Sequence, residues 1–349
     1  MEEIILMAAL PSNIGVRTPQ WTLSYAGKNI TADISSAVVE ISFVDHEGHV
    51  GNEIEVRVAD EHRRFQGPWY PATGDLLNLQ IGYAGETLAP CGDFNIDELE
   101  LDFPPDVMHI RALAATITSP WRTPIAQGYE NQTLTQIAST IAAKHGYSVV
   151  GLPNAINVTF QRVTQNRETD LAFLKRIARE HNYDFKIDTQ SGASGTHRVL
   201  VFYSIPALEA QSPIRTFTRA DIIRGHFKAR THRVYASAVA SYQNPATKSL
   251  VTQSASASSA PTPDTLKVAT RIETAPQAAL KAQAALHRHN MMQTTGHLTM
   301  PGETAMLAGV VITLSGFGAY SGNYLVSKAT HRLERSSGYT TELEVRQVA

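Results

Sequence analysis

The side chains best placed to do chemistry lie in an acidic stretch near position 100. They are Asp97, Glu98, Glu100 and Asp102. Glycoside hydrolases use a pair of carboxylates that flank the scissile bond, so a cell-wall hydrolase is one hypothesis for this chain. A spacing of two along a strand, however, places Glu98, Glu100 and Asp102 in a row on one face. That pattern favours a solvated strand face or a channel lining over an acid and nucleophile pair.

Histidines and a single cysteine are the other candidates for a site. His287 and His289 are two apart in a predicted helix and therefore point to different faces, so a metal site would also need His297 or His331. Cys91 is the only cysteine, which excludes an intrachain disulfide and a Cys-based zinc site. No nucleophile elbow, phosphate loop or HExxH motif is present. We predict no catalytic residues, no metal and no cofactor.

Composition limits the classes of partner. The 349 residues carry 30 basic and 32 acidic side chains, a net charge of -2, which argues against specific nucleic-acid binding because phosphates need a basic face. The apolar run Ile4–Leu10 is too short for a membrane helix and follows Glu2 and Glu3, unlike a signal peptide. We therefore predict an N-terminal strand or arm and no stable membrane insertion.

The fold class that these patterns predict is mainly β, with an inserted α+β unit. Residues 1–118 show short alternating segments broken by glycines, as in the stretch ELELDF, which predicts a β-barrel preceded by the arm. Residues 119–206 contain two amphipathic helices and a strand-turn-strand pattern, and Thr133 and Gln136 have the spacing of a capping box. This middle part is predicted to be a small α+β domain.

Residues 207–349 return to β patterning and predict a second barrel. Within them, residues 252–264 are polar and of low complexity, which predicts a loop. A helix is predicted over 276–292, and its alanines allow close packing on more than one side. We interpret Ala278, Ala282 and Ala285 as a possible subunit interface.

The two β regions share a short motif of glycine, an acid or its amide, and an aromatic residue. The residues are Gly92, Asp93 and Phe94 in the first region and Gly322, Asn323 and Tyr324 in the second. The pattern is typical of a tight turn that leads into a strand. It suggests that the chain contains two similar β-barrels.

An ordered set of motifs near the end resembles the phage late-control gene D family of tail-hub proteins. The set comprises Pro301-Gly302, Gly322–Val326, Thr330-His331 and Gly338–Thr341. The helix-strand stretch at 167–187 also looks like this family, and the resemblance runs from about Pro19 to Val348. It implies two barrels that flank the smaller α/β part.

The resemblance further implies a role in a contractile phage tail or a bacteriocin-like particle. Three chains would form a pseudo-hexameric ring between a sixfold tail tube and a threefold spike. The expected partners are the homotrimer itself, a central spike protein, the tube protein, the tape-measure C-terminus and baseplate wedge proteins. Since no needle repeat follows the second barrel, we expect a separate spike chain. Assembly is expected in the bacterial cytoplasm. The alternatives left open are the cell-wall hydrolase and a receptor-binding module.

Overall fold

The computed structural model describes most of the chain. The described residues are 17–48, 51–114, 121, 123–151, 158–192, 195–244, 247–258, 260–270, 272 and 274–348. The predicted N-terminal arm, including Ile4–Leu10, lies outside them.

Strands dominate the described residues, which confirms the mainly β fold class. The first β region contains β1 Pro19–Tyr25, β2 Lys28–Asn29, β3 Val38–His46, β4 Glu53–Ala59, β5 Leu76–Tyr83, β6 Ala89–Asp102 and β7 Val107–Leu113, with the short helix α1 Thr31–Ile34. The middle unit contains β8 Ile125–Thr133, α2 Leu134–Lys144, β9 Ser148–Gly151, β10 Thr159–Glu168, α3 Asp170–Glu180, β11 Tyr183–Gly192, β12 Gly195–Ser204 and α4 Ile205–Glu209. The last part contains β13 Arg215–Phe217, β14 Arg224–Ala229, β15 Ser237–Gln243, β16 Leu250–Ser256, β17 Thr265–Val268, α5 Ala275–Asn290, β18 Thr294–Pro301, β19 Val311–Leu314, β20 Gly322–Glu334 and β21 Gly338–Gln347.

One hydrogen-bonded sheet of 13 strands runs through both β regions, in the order β14-β18-β21-β20-β3-β4-β7-β6-β5-β1-β2, with β19 beside β20 and β13 beside β19. Two separate barrels, as the sequence suggested, are therefore not confirmed, because β20 and β3 pair and join the two regions. Each region nevertheless encloses its own apolar core. Long strands that pair with different neighbours along their length make this arrangement possible.

The two β regions repeat the same strand order. In the first, β4-β7-β6-β5 lie side by side, and in the second, β18-β21-β20-β19 do so. If the four strands of each set are numbered along the chain, their spatial order in both sets is first, fourth, third, second. The ladders β6/β7 and β20/β21 even shift register at equivalent points, between Ile96 and Glu98 and between Val326 and Lys328. With β3 beside β4 and β14 beside β18, we call these two sets of five strands the first and second β repeats.

The middle unit is an α+β module with a core of its own. β8 pairs with β10, while β9, β12 and β11 form a second small sheet. The predicted capping box is present at the start of α2, because Thr133 and Gln136 exchange hydrogen bonds between side chain and backbone. α3 begins after Thr169, whose side chain accepts a bond from the Ala172 amide.

A third small sheet, β16-β15-β17, carries helix α5 across one face. Residues 250–256 form strand β16, so the loop predicted at 252–264 is corrected over its first five residues. The reason is a period of two in exposure: Val251, Gln253 and Ala255 are partly buried, and the residues between them are exposed. Ala255 and Ala257 pack against the helix side of the sheet. The helix spans Ala275–Asn290 rather than the predicted 276–292.

Candidate functional site

The candidate functional features are exposed strand edges and the buried contacts that join one part of the fold to another. The repeated glycine-acid-aromatic motif is described first. Gly92 and Gly322 have φ values of +113° and +141°, which side chains other than hydrogen rarely permit. Two residues later, Phe94 and Tyr324 are fully buried, one in each repeat core. The motif therefore lies at the start of β20 but three residues inside β6, and it anchors each strand in its core. The tight turn predicted at Gly92 is not found, because Gly92 pairs with Leu79 within the β5/β6 ladder, next to a shift in register.

The middle residue of the motif also has an equivalent bond in each repeat. Asn78 Nδ2 donates to Asp93 Oδ1 at 2.7 Å, and Thr313 Oγ1 donates to Asn323 Oδ1 at 2.8 Å. Both bonds link residues that are direct cross-strand partners. The repeat thus extends from strand order to individual side-chain contacts.

A strand junction between the repeats involves the second half of β20, which pairs antiparallel with β3. Glu40 accepts from Arg57 at 2.8 Å and from Arg332 at 2.5 Å, so one carboxylate links three strands. On the inner side His331 stacks on Phe43 with 5.7 Å between ring centroids. We call this pairing of β20 with β3 the internal junction.

Several family motifs meet beside the internal junction. A methyl group added at Gly302 would lie 2.2 Å from the Tyr339 ring, so only glycine fits there. The Tyr83 hydroxyl donates to the Gly302 carbonyl at 2.8 Å. His331 is fully buried between the Tyr339 hydroxyl and the Met306 carbonyl, and burial lowers its pKa to about 4. The Tyr339 ring also packs against the rings of Tyr83 and His331, so these residues share one part of the core.

A buried charge cluster attaches the α+β unit to the sheet. Arg346, only 2% exposed, donates to Glu47 at 2.7 Å and also to Glu209 of helix α4. Glu209 Oε2 lies 2.7 Å from His287 Nε2, which ties in helix α5. Burial would raise the pKa of Glu209, but its bonds with His287 and Arg346 lower it overall. These four residues connect three parts of the fold.

A second buried ion pair lies beside that cluster. Asp45, 3% exposed at the end of β3, pairs with Lys186 of β11. Its other oxygen accepts from the Ala308 amide at 2.8 Å. Sequence reasoning missed both clusters, since their members are far apart in the chain and none forms a recognisable motif.

The acidic stretch lies on the exposed half of β6. Glu98 pairs with Arg111 at 3.2 Å, and an oxygen of Asp102 lies 3.1 Å from His109 Nε2, in each case between neighbouring strands. Glu100 is exposed on the same strand. A row of solvated, partly paired carboxylates is what the strand spacing predicted, and it does not resemble an acid and nucleophile that face a common cleft.

The structure does not bring the candidate metal ligands together. His287 contacts Glu209 and Asn182, whereas His331 is enclosed in the sheet. His289 packs edge-on against Tyr235, and His297 lies opposite His226 in the β14/β18 ladder. In the described part of the chain no group of three or more His, Cys, Asp or Glu side chains could hold a metal ion. Burial raises the pKa of the Cys91 thiol, which disfavours the reactive thiolate.

Helix α5 corrects one detail of the predicted interface. Ala278 and Ala282 have no exposed surface, because they pack on the small sheet of the same chain. They are therefore core residues and cannot contact a second subunit in this conformation. Ala285 is half-buried. A role for Ala285 at an interface remains a prediction.

The family is shown by a match between residues 99–337 and the model of the phage tail baseplate hub family (GPD). The chain belongs to this family and is a phage tail baseplate protein. A relative, described as a probable baseplate hub protein of Escherichia phage P2, is 24% identical over 229 residues, covering 64% of this chain and 56% of the relative. The chain spans about half the length of the curated relatives it matches.

Two solved structures show the same fold. The 43 kDa tail protein of prophage MuSo2 from Shewanella oneidensis has a TM-score of 0.70 at 15% identity, over 95% of this chain and 98% of that one. The c3393 protein of E. coli, a component of the type VI secretion system, has a TM-score of 0.57 at 13% identity, over 90% of this chain and 74% of that one. Among the helices of the described residues, none has the length and apolarity to cross a membrane.

Proposed function

We propose that the chain is a structural hub whose homotrimer joins a sixfold tail tube to a threefold central spike. The observation that carries this proposal is the repeated strand order of the two β repeats. Three copies would present six similar units to the tube and three identical chains to the spike, so both interfaces would consist of repeated patches. Its membership of the hub family supports the same role.

The proposed partners are the tube protein, the spike protein, the tape-measure C-terminus and baseplate wedge proteins. We also propose that the chain has no enzymatic activity, since its acidic row is solvated and Glu98 pairs with Arg111. Assembly would take place in the bacterial cytoplasm, before the tail is complete.

The experiment is a mass measurement by light scattering coupled to size exclusion, over a range of concentrations. It uses the chain alone and the chain co-expressed with spike candidates from the neighbouring genes. A mass of three chains, or of three chains with one spike trimer, is expected. A chain that stays monomeric under all these conditions would contradict the proposal. Turnover of peptidoglycan that is lost in Glu98→Gln or Glu100→Gln would instead support the hydrolase.

A further inference from the structure

The internal junction uses two strand edges, and both have an equivalent elsewhere in the chain. Matching the ladders makes β3 equivalent to β14 and the second half of β20 equivalent to the second half of β6. In the described residues β14 pairs only with β18, and β6 beyond Ile96 pairs only with β7. In this part of the chain, one edge of β14 and one edge of the second half of β6 therefore have no strand partner.

The equivalence can be carried to single residues. Phe43 lies opposite Ile54 and Phe227 opposite Gly296, at the same step of the two repeats. His331 and Leu101 are likewise equivalent, because they lie opposite Thr341 and Met108. Since the internal junction places His331 opposite Phe43, the same register would place Leu101 opposite Phe227.

That register places acidic residues opposite basic residues, and Lys228 carries a full positive charge. On the outer face it would place Glu100 opposite Lys228 and Asp102 opposite His226. All four side chains belong to exposed residues of the free edges. Opposite charges directly across a strand pair are stabilising, whereas like charges are destabilising. Two copies of the acidic edge, or two of the basic edge, would repel each other, which leaves acidic against basic as the favoured pairing.

Apolar residues at the same ends would also be covered. Phe103, just after β6, is 74% exposed, and Ile223, just before β14, is 63% exposed. In the matched register Phe103 falls opposite Gly225, two residues from Ile223. Leu101 and Phe227 are both partly buried on the inner side. Pairing of the edges would therefore remove apolar surface from water as well as satisfy backbone groups.

We propose that β14 of one copy pairs antiparallel with residues 98–102 of β6 in a neighbouring copy, in the register of the internal junction. The contact joins different surfaces on the two copies, so it is head-to-tail and can close into a ring. The number of copies in that ring, three, is taken from the proposed function. The partner is thus a second copy of this chain.

Cross-linking tests the register. In the full chain, Glu100→Cys is combined with Lys228→Cys, and oxidation should give covalent oligomers, since directly opposed strand residues lie within disulfide reach. The off-register control combines Glu100→Cys with Arg224→Cys, four residues along the same edge, and should give none. The unaltered chain, with Cys91 alone, reports the background.

Charge reversal tests the pairing independently. Glu100→Lys with Asp102→Lys, or His226→Glu with Lys228→Glu, should each abolish the oligomer at concentrations where the wild-type chain assembles. All four substitutions in one chain should restore it. If oligomers form but the matched cysteines do not cross-link, or if both reversals assemble normally, this interface is wrong while the trimer stands. A chain that is monomeric even with the spike would overturn both.

Discussion

The two β repeats differ less in strand order than in what surrounds their equivalent strands. β20 continues past β19 and pairs with β3, whereas β6 continues past β5 and has no further strand partner in the described residues. The same long strand therefore stands in two environments. The strand order and the apolar core, which a repeat needs in order to fold, are common to both repeats. The strand edge that joins a neighbour is occupied within the described part of the chain in only one of them.

Equivalent positions also differ in polarity. Arg346 and Leu113 occupy equivalent positions, because Arg346 pairs with β18 at the step where Leu113 pairs with β4. Only the arginine contacts a buried carboxylate cluster. His331 in the second repeat corresponds to Leu101 in the first. At both of these positions the buried polar residue belongs to the second repeat.

The largest expected effect follows from removing the arginine of that cluster. Arg346→Met leaves Glu47 and Glu209 buried without their cation, which should lower the free energy of unfolding by about 3–5 kcal/mol. Urea unfolding followed by circular dichroism measures it. Arg162→Met is the matched control, because Arg162 is 65% exposed and 3.7 Å from Glu130. That control should cost less than about 1 kcal/mol, and equal effects would mean that the cluster does not hold the modules together.

A second prediction concerns pH and His331. Burial lowers its pKa from 6.5 to about 4, so between these values the unfolded state binds more protons than the folded state. Stability should therefore decrease as the pH falls through this window, by about 2 kcal/mol from this group between pH 7 and pH 5. His331→Leu, which introduces the residue found at position 101, should remove that part of the pH dependence.

The measurement is urea unfolding of wild type and variant at pH 7 and pH 5. Tyr339→Phe is the control, since it removes the hydroxyl bonded to His331 but keeps the imidazole. It should lower stability at both pH values and retain the pH dependence. A pH dependence that is identical in wild type and His331→Leu would contradict the assignment.

Local signals in the sequence predicted local structure well. The alternation around Leu99 predicted a half-buried strand, and Thr133 with Gln136 predicted the start of a helix. The motif at Gly92 and Gly322 marked equivalent strands. Each of these depends on residues within a few positions of one another, where periodicity and capping act directly.

Long-range contacts could not be predicted in the same way. The pairing of β20 with β3 joins residues about 290 positions apart, such as Arg332 and Glu40, and it depends on where β19 ends. Arg346 follows Val345 in the last strand, and both are buried because the α+β unit covers the outer face there. Strand alternation alone would have placed Arg346 in solvent.

The smallest effect tests whether the repeated motif has the same physical role in both repeats. Gly92→Ala and Gly322→Ala each place a side chain at a φ that favours glycine, +113° and +141°. Each should lower the free energy of unfolding by about 1–2 kcal/mol. Gly128→Ala is the control, because a Cβ there meets nothing within 4 Å and its φ is not positive. It should be neutral or slightly stabilising, since alanine restricts the unfolded chain. Equal losses at positions 92 and 322 would support the same backbone role for the two glycines. A loss at only one of them would show that the two glycines differ in role despite their shared sequence pattern.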